Sequence, residues 1–60
     1  MVELGETYMD RYTGWIGVAV SITTHLDSDQ TVTLTRMQDG AVVSESFVAA
    51  RLEEVYAPKT

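Results

Sequence analysis

Cysteine is absent from this 60-residue chain, and proline occurs once, at Pro58. No disulfide framework, thiolate nucleophile or zinc-thiolate site is therefore available, and cysteine usage says nothing about redox compartment. Basic residues are nearly as scarce: Arg11, Arg36, Arg51 and Lys59 face nine acidic side chains, for a net charge of −5. Binding a nucleic-acid backbone requires several phosphates to be neutralised by Lys and Arg, so four scattered cations argue against DNA or RNA as partner. No apolar run approaches the roughly 18 residues that cross a bilayer, which argues against a membrane partner. The start Met-Val-Glu-Leu-Gly lacks the basic and apolar regions of a secretory signal, so synthesis in a cytoplasm is the expectation.

Histidine also occurs once. His25 stands near Asp27 and Asp29, a pairing that would suit an oriented general base or a metal ligand. A base also needs a nucleophile and oxyanion donors, and no Gly-x-Ser-x-Gly elbow surrounds Ser21, Ser28, Ser44 or Ser46. A polar strand-end residue is the better reading. Asp27-Ser28-Asp29 opens like a calcium loop, but Val32 and Gln38 occupy the positions where such a loop needs glycine and a bidentate glutamate. The chain is expected to be no enzyme and to carry neither metal nor cofactor.

Sixty residues make one domain, spanning 1–60, and a domain this size buries only about 60% of the surface its unfolded chain exposes. Small chains recover stability from disulfides, metals or association, and only association remains here. A homo-oligomer, or a subunit docked on something larger, is the expectation.

What the chain does contain is strand pattern broken by turn formers. Thr7–Arg11 favours a strand, Tyr12-Thr13-Gly14 a turn, and Trp15–Leu26 alternates with period two. Ile16, Val18, Val20 and Ile22 are expected to face the core, with Trp15, Gly17 and Ala19 opposite and a bend near Gly17. Asp27–Gln30 reads as a loop, and Thr31–Met37 as a strand with Val32 and Leu34 inward. Asp39-Gly40 is a hairpin signal leading to a strand over Ala41–Ser46, with the inward side of Val42-Val43 undecided. Phe47–Leu52 suits one turn of 3-10 or α-helix capped by Ser46. Leu52–Tyr56 closes the fold, and residues 57–60 form a flexible tail.

Five short strands, a long bent second strand and one helical turn before the last describe an all-β, SH3-like five-stranded antiparallel barrel. Asp10-x-x-Thr13-Gly14-x-x-Gly17-x-Ala19, preceded by Leu4-Gly5 and followed by Phe47 and Leu52-Glu53, resembles a family of small uncharacterised proteins encoded by tailed phages and prophages. More distantly, the Gly14-x-x-Gly17 turn is similar to the KOW motif of transcription and ribosomal factors. Shared fold alone does not transfer function.

Gly14 and Gly17 read as turn and bulge glycines; the alternative is a backbone cradle for an anion. Tyr8, Tyr12, Trp15 and Tyr56, with Arg11, are the expected interaction surface, since Trp, Tyr and Arg are enriched at interface hot spots. Trp15 either stands partly exposed or closes one mouth of the barrel. The phage resemblance, the small size and these aromatics together imply a non-catalytic protein-interaction module. Its expected role is a structural or accessory subunit that self-associates or decorates a capsid, placing it in the host cytoplasm on synthesis and then in the virion. The alternatives are a small-molecule or nucleotide sponge, using Arg11, Arg36 or Arg51 near the two glycines, and a regulator that contacts host transcription or translation machinery.

Overall fold

The first three strand connections are built from turn formers that interrupt runs of β-formers. The computed structural model describes residues 2–55; Tyr56 and the expected tail lie outside the described residues. The strands are β1 (Thr7–Asp10), β2 (Ile16–Thr23), β3 (Thr31–Gln38), β4 (Ala41–Val48) and β5 (Leu52–Glu54), with a 3-10 turn, η1 (Ala49–Arg51), between the last two. They make one antiparallel sheet in the order β4-β3-β2-β1-β5. The β3–β4 hairpin closes as Asp-Gly predicts: Asp39 and Gly40 both take positive φ, at 52° and 80°, the primed turn whose twist matches that of the flanking strands.

β4 runs two residues past its expected end. Phe47 pairs with Val32 and enters the core, and Val48 pairs with Thr31. Ser46 therefore lies inside the strand, with its hydroxyl 3.2 Å from that of Thr33, and it does not cap η1. The turn is anchored instead by the loop before β3. The Ala49 amide donates to the Gln30 carbonyl at 2.8 Å, and the Ala50 amide to Asp29 Oδ2 at 2.9 Å.

The core comprises Tyr8, Ala19, Val32, Leu34 and Phe47, with Trp15, Ile22 and Leu52 packed against it. Val32 and Leu34 are fully buried, as expected. In β2 the expected alternation is present but its phase is reversed over the first half. Gly17 and Ala19 face inward, while Ile16, Val18 and Val20 are exposed. The cause is volume. The Trp15 ring packs on Phe47 with centroids 5.7 Å apart, and it needs the space a side chain at 17 would fill. A Cβ on Gly17 would stand 2.6 Å from the Trp15 ring and 2.8 Å from the Thr35 carbonyl oxygen. One large ring over two small residues fills the volume that three aliphatic side chains would otherwise take.

The irregularity expected at Gly17 sits three residues later. Ala19 pairs with Leu34 and Ser21 with Thr33, so the register skips Val20. Such an extra residue flips every side chain beyond it to the other face. Ile22 consequently returns to the core side, opposite Val32, where it was expected.

Candidate interaction surface

The motif Asp10-x-x-Thr13-Gly14 builds the turn between β1 and β2. Asp10 Oδ2 accepts from the Thr13 hydroxyl at 2.6 Å and the Thr13 amide at 3.1 Å. Gly14, at φ 80°, donates its amide to the Asp10 carbonyl at 2.7 Å, and the Asp10 amide donates to the Trp15 carbonyl at 2.8 Å. From η1, Arg51 clamps the same carboxylate: Nε donates to Oδ1 at 2.9 Å and Nη2 to Oδ2 at 2.7 Å. The Asp10 side chain has no exposed surface. Arg51 lowers the Asp10 pKa from 3.8 to about 2, overriding the upward push of burial, with Thr13 and the Tyr12 amide assisting. The Arg51 guanidinium also lies 4.7 Å from the Tyr12 ring centroid, and Arg11 bonds the Ala50 carbonyl. Arg36 sits 4.5 Å over the Trp15 ring and donates to Gln38 at 2.8 Å.

These contacts sort the expected surface residues. Arg11 and Tyr12 are exposed beside the turn, Trp15 is half-buried against Phe47, and Tyr56 lies outside the described residues. Tyr8 is a correction: only 3% exposed, it belongs to the core, because β1 turns Tyr8 inward opposite Gly17, and its hydroxyl accepts the Glu3 amide at 2.8 Å. Gly14 serves the turn, and the open side of Gly17 is filled by Trp15, Leu34 and the Thr35 carbonyl. His25 Nε2 lies 2.8 Å from the Thr31 hydroxyl, and no cluster of potential metal ligands occurs among the described residues. Asp29 ties the loop to η1. A depression of about 350 Å³ beside η1 includes Asp29 and Glu54 in its lining and no cationic side chain.

The surface that sequence reasoning missed is the opposite face of the sheet. β1 places Thr7 and Met9 there, opposite Val18 and Ile16 of β2. Beyond the bulge β2 adds Ser21 and Thr23, which pair with Thr33 and Thr31 of β3. Thr35 and Met37 continue β3, and β4 adds Val42, Ser44, Ser46 and Val48. None of these residues is ionisable, in a chain with 22% charged residues. The described charges lie in loops, in η1, on the core side of the strands or on β5, where Glu53 borders the face opposite Met9.

Six of the fourteen residues on this face are apolar. Met9 pairs with Ile16 and Met37 with Val42, and extending the Val18–Thr35 pairing by two residues brings Ile16 level with Met37. A row of four apolar side chains thus crosses four strands. Ile16 is 41% exposed, Val18 37%, Met37 66% and Val42 69%. A hollow of about 320 Å³ opens among Val18, Thr35, Met37 and Val42, with Arg36 at its border. The Thr35 hydroxyl there is buried and has no hydrogen-bond partner among the described residues. The solvated side of an antiparallel sheet ordinarily alternates to polar and charged residues, and a contiguous apolar patch marks an interaction site.

No family model, curated protein or solved structure matches this chain. The functional assignment rests on the side chains and their arrangement.

Proposed function

We propose that the chain is a non-catalytic protein-interaction module, an SH3-like barrel of phage type, which self-associates or docks on a larger assembly such as a capsid. The uncharged face of β1–β4 is its contact surface, replacing the surface of Tyr8, Tyr12, Trp15, Tyr56 and Arg11 expected from sequence. One observation carries this reading: four adjacent strands exclude every ionisable side chain from one face and cross it with Met9, Ile16, Met37 and Val42. A contacting surface without charge presents no desolvation penalty for ions, and apolar burial there supplies the driving force. The strand order and the 3-10 turn before β5 support the SH3-like assignment, and the Asp10-x-x-Thr13-Gly14 pattern supports the phage-type origin.

The test is light scattering on the native protein and on Met37→Glu, together with a search for the protein in purified virions. Met37 is 66% exposed, so the substitution should leave the fold intact, which circular dichroism verifies. A central interface residue costs about 2 kcal/mol or more on truncation, some thirtyfold in affinity, so the native protein should associate through this face and the variant should lose that association. A native protein that is monomeric at every concentration and absent from particles would reject the reading.

A further inference from the structure

β4 is an edge of the sheet, eight residues long, paired to β3 without a break in register. Natural sheets guard such an edge with lysine, proline, a bulge or an inward-pointing charge. Of these devices β4 has only Glu45, which lies on the core side opposite Leu34. Its backbone makes no hydrogen bond to any described residue outside the β3–β4 hairpin. The strand is also close to a palindrome. Reading outward from Glu45, the flanking residues are Ser44 and Ser46, Val43 and Phe47, Val42 and Val48, Ala41 and Ala49.

We infer that β4 pairs antiparallel with β4 of a second copy, about a two-fold axis through Glu45. The inference rests on the self-association proposed above and adds a second contact to it, through the sheet edge, which leaves the uncharged face free. Val42 of one copy then lies opposite Val48 of the other, Val43 opposite Phe47, and Ser44 opposite Ser46. Antiparallel partners must share a face and must both aim their free backbone groups across the gap, and those groups alternate along the strand. This register pairs odd with odd and even with even, so both conditions hold at every position. The two sheets join into one of ten strands, and their uncharged faces become continuous on the same side. Such an interface is isologous and closed, limiting assembly through this edge to a dimer. Two Glu45 carboxylates meeting at the axis weaken the pairing and keep it reversible, as like charges directly opposite do.

The chain has no cysteine, so single cysteines report the register without background. Residues directly opposite have Cβ atoms about 4.5–5.5 Å apart, close to disulfide reach, whereas diagonal neighbours do not. Glu45→Cys should form a covalent homodimer on mild oxidation. An equimolar mixture of Ser44→Cys and Ser46→Cys should form the mixed dimer in preference to either homodimer. At about 10 μM protein, pairing supplies a local thiol concentration on the order of 1 mM, so these reactions should run about a hundredfold faster than for Asp39→Cys in the β3–β4 turn. Glu45→Gln should tighten the native dimer by up to about fivefold. All four positions are exposed, and circular dichroism verifies each fold. If neither the Glu45→Cys reaction nor the mixed reaction outruns the Asp39→Cys control, the pairing is refuted. In that event, association of the native protein abolished by Met37→Glu leaves the interaction-module reading standing, and a native monomer unaffected by that change removes both.

Discussion

Replacing Gly17 by alanine tests how β2 came to be inverted. The backbone there has no positive φ, so alanine brings no conformational strain of its own. What it brings is a methyl group 2.6 Å from the Trp15 ring, 2.8 Å from the Thr35 carbonyl oxygen and 3.1 Å from Leu34 Cβ. The indole is held between Phe47 and Arg36, and Thr35 belongs to a strand paired on both sides, so neither gives way without disturbing its neighbours. Overpacking of this kind costs about 1–3 kcal/mol. The reduced freedom of the unfolded chain returns about 0.4–1 kcal/mol, leaving a net loss on the order of 1–2 kcal/mol. A chain of this size holds roughly 3–9 kcal/mol in all, so the loss is a large fraction of the total. Each kcal/mol moves the melting temperature of a small domain by about 4–8 °C, and the midpoint should fall by about 5–15 °C. Thermal and urea denaturation, followed by Trp15 fluorescence, measure it. An unchanged or raised midpoint would mean that the ring does not occupy the space over Gly17, and the explanation for the reversed phase would fail.

Two further outcomes follow from the same structure. Asp10 has a pKa below its unfolded value, so its stabilising effect is complete above about pH 4 and fades as pH falls from there toward 2. Asp10→Asn should flatten that acid limb of the melting-temperature profile, and an unchanged limb would mean that other carboxylates produce it. Thr35→Val replaces a buried, unpartnered hydroxyl by a methyl group of similar shape, and stability should hold or rise by up to about 1 kcal/mol; a clear loss in urea denaturation would show that the hydroxyl is bonded after all.

Much of the architecture was legible from turn chemistry and alternation, because both are local. Asp39-Gly40 demanded positive φ, and the Thr31–Gln38 strand has only one sensible inward side, that of Val32 and Leu34. The phase of β2 was not legible, since alternation is equally clear on either side and the four aliphatics outweigh a set containing glycine and alanine. Only the tertiary requirement of Trp15 for an empty neighbour reverses the choice, and the extra residue at Val20 hides the reversal by restoring Ile22. The interaction surface was lost by the same step. With Ile16 and Val18 facing inward, as alternation alone suggests, no exposed apolar row remains and the aromatics stand out instead. One signal was available: no ionisable residue occurs from Gly14 to Thr24 or from Thr31 to Thr35, which is unusual for strands that each keep one side wet.

The Asp10–Arg51 clamp spans 41 positions along the chain. β2, β3 and β4 follow one another through short connections and can zip together from neighbours, whereas β1 gains its second flank and Asp10 its counter-ion only when η1 and β5 come back across the molecule. Contacts between residues so distant in sequence carry a loop-closure cost that the neighbouring hairpins do not. Without that closure the Asp10 carboxylate would lack its counter-ion and β1 its second neighbour. The guanidinium thus works as a latch, joining the turn after the first strand to the segment that leads into the last.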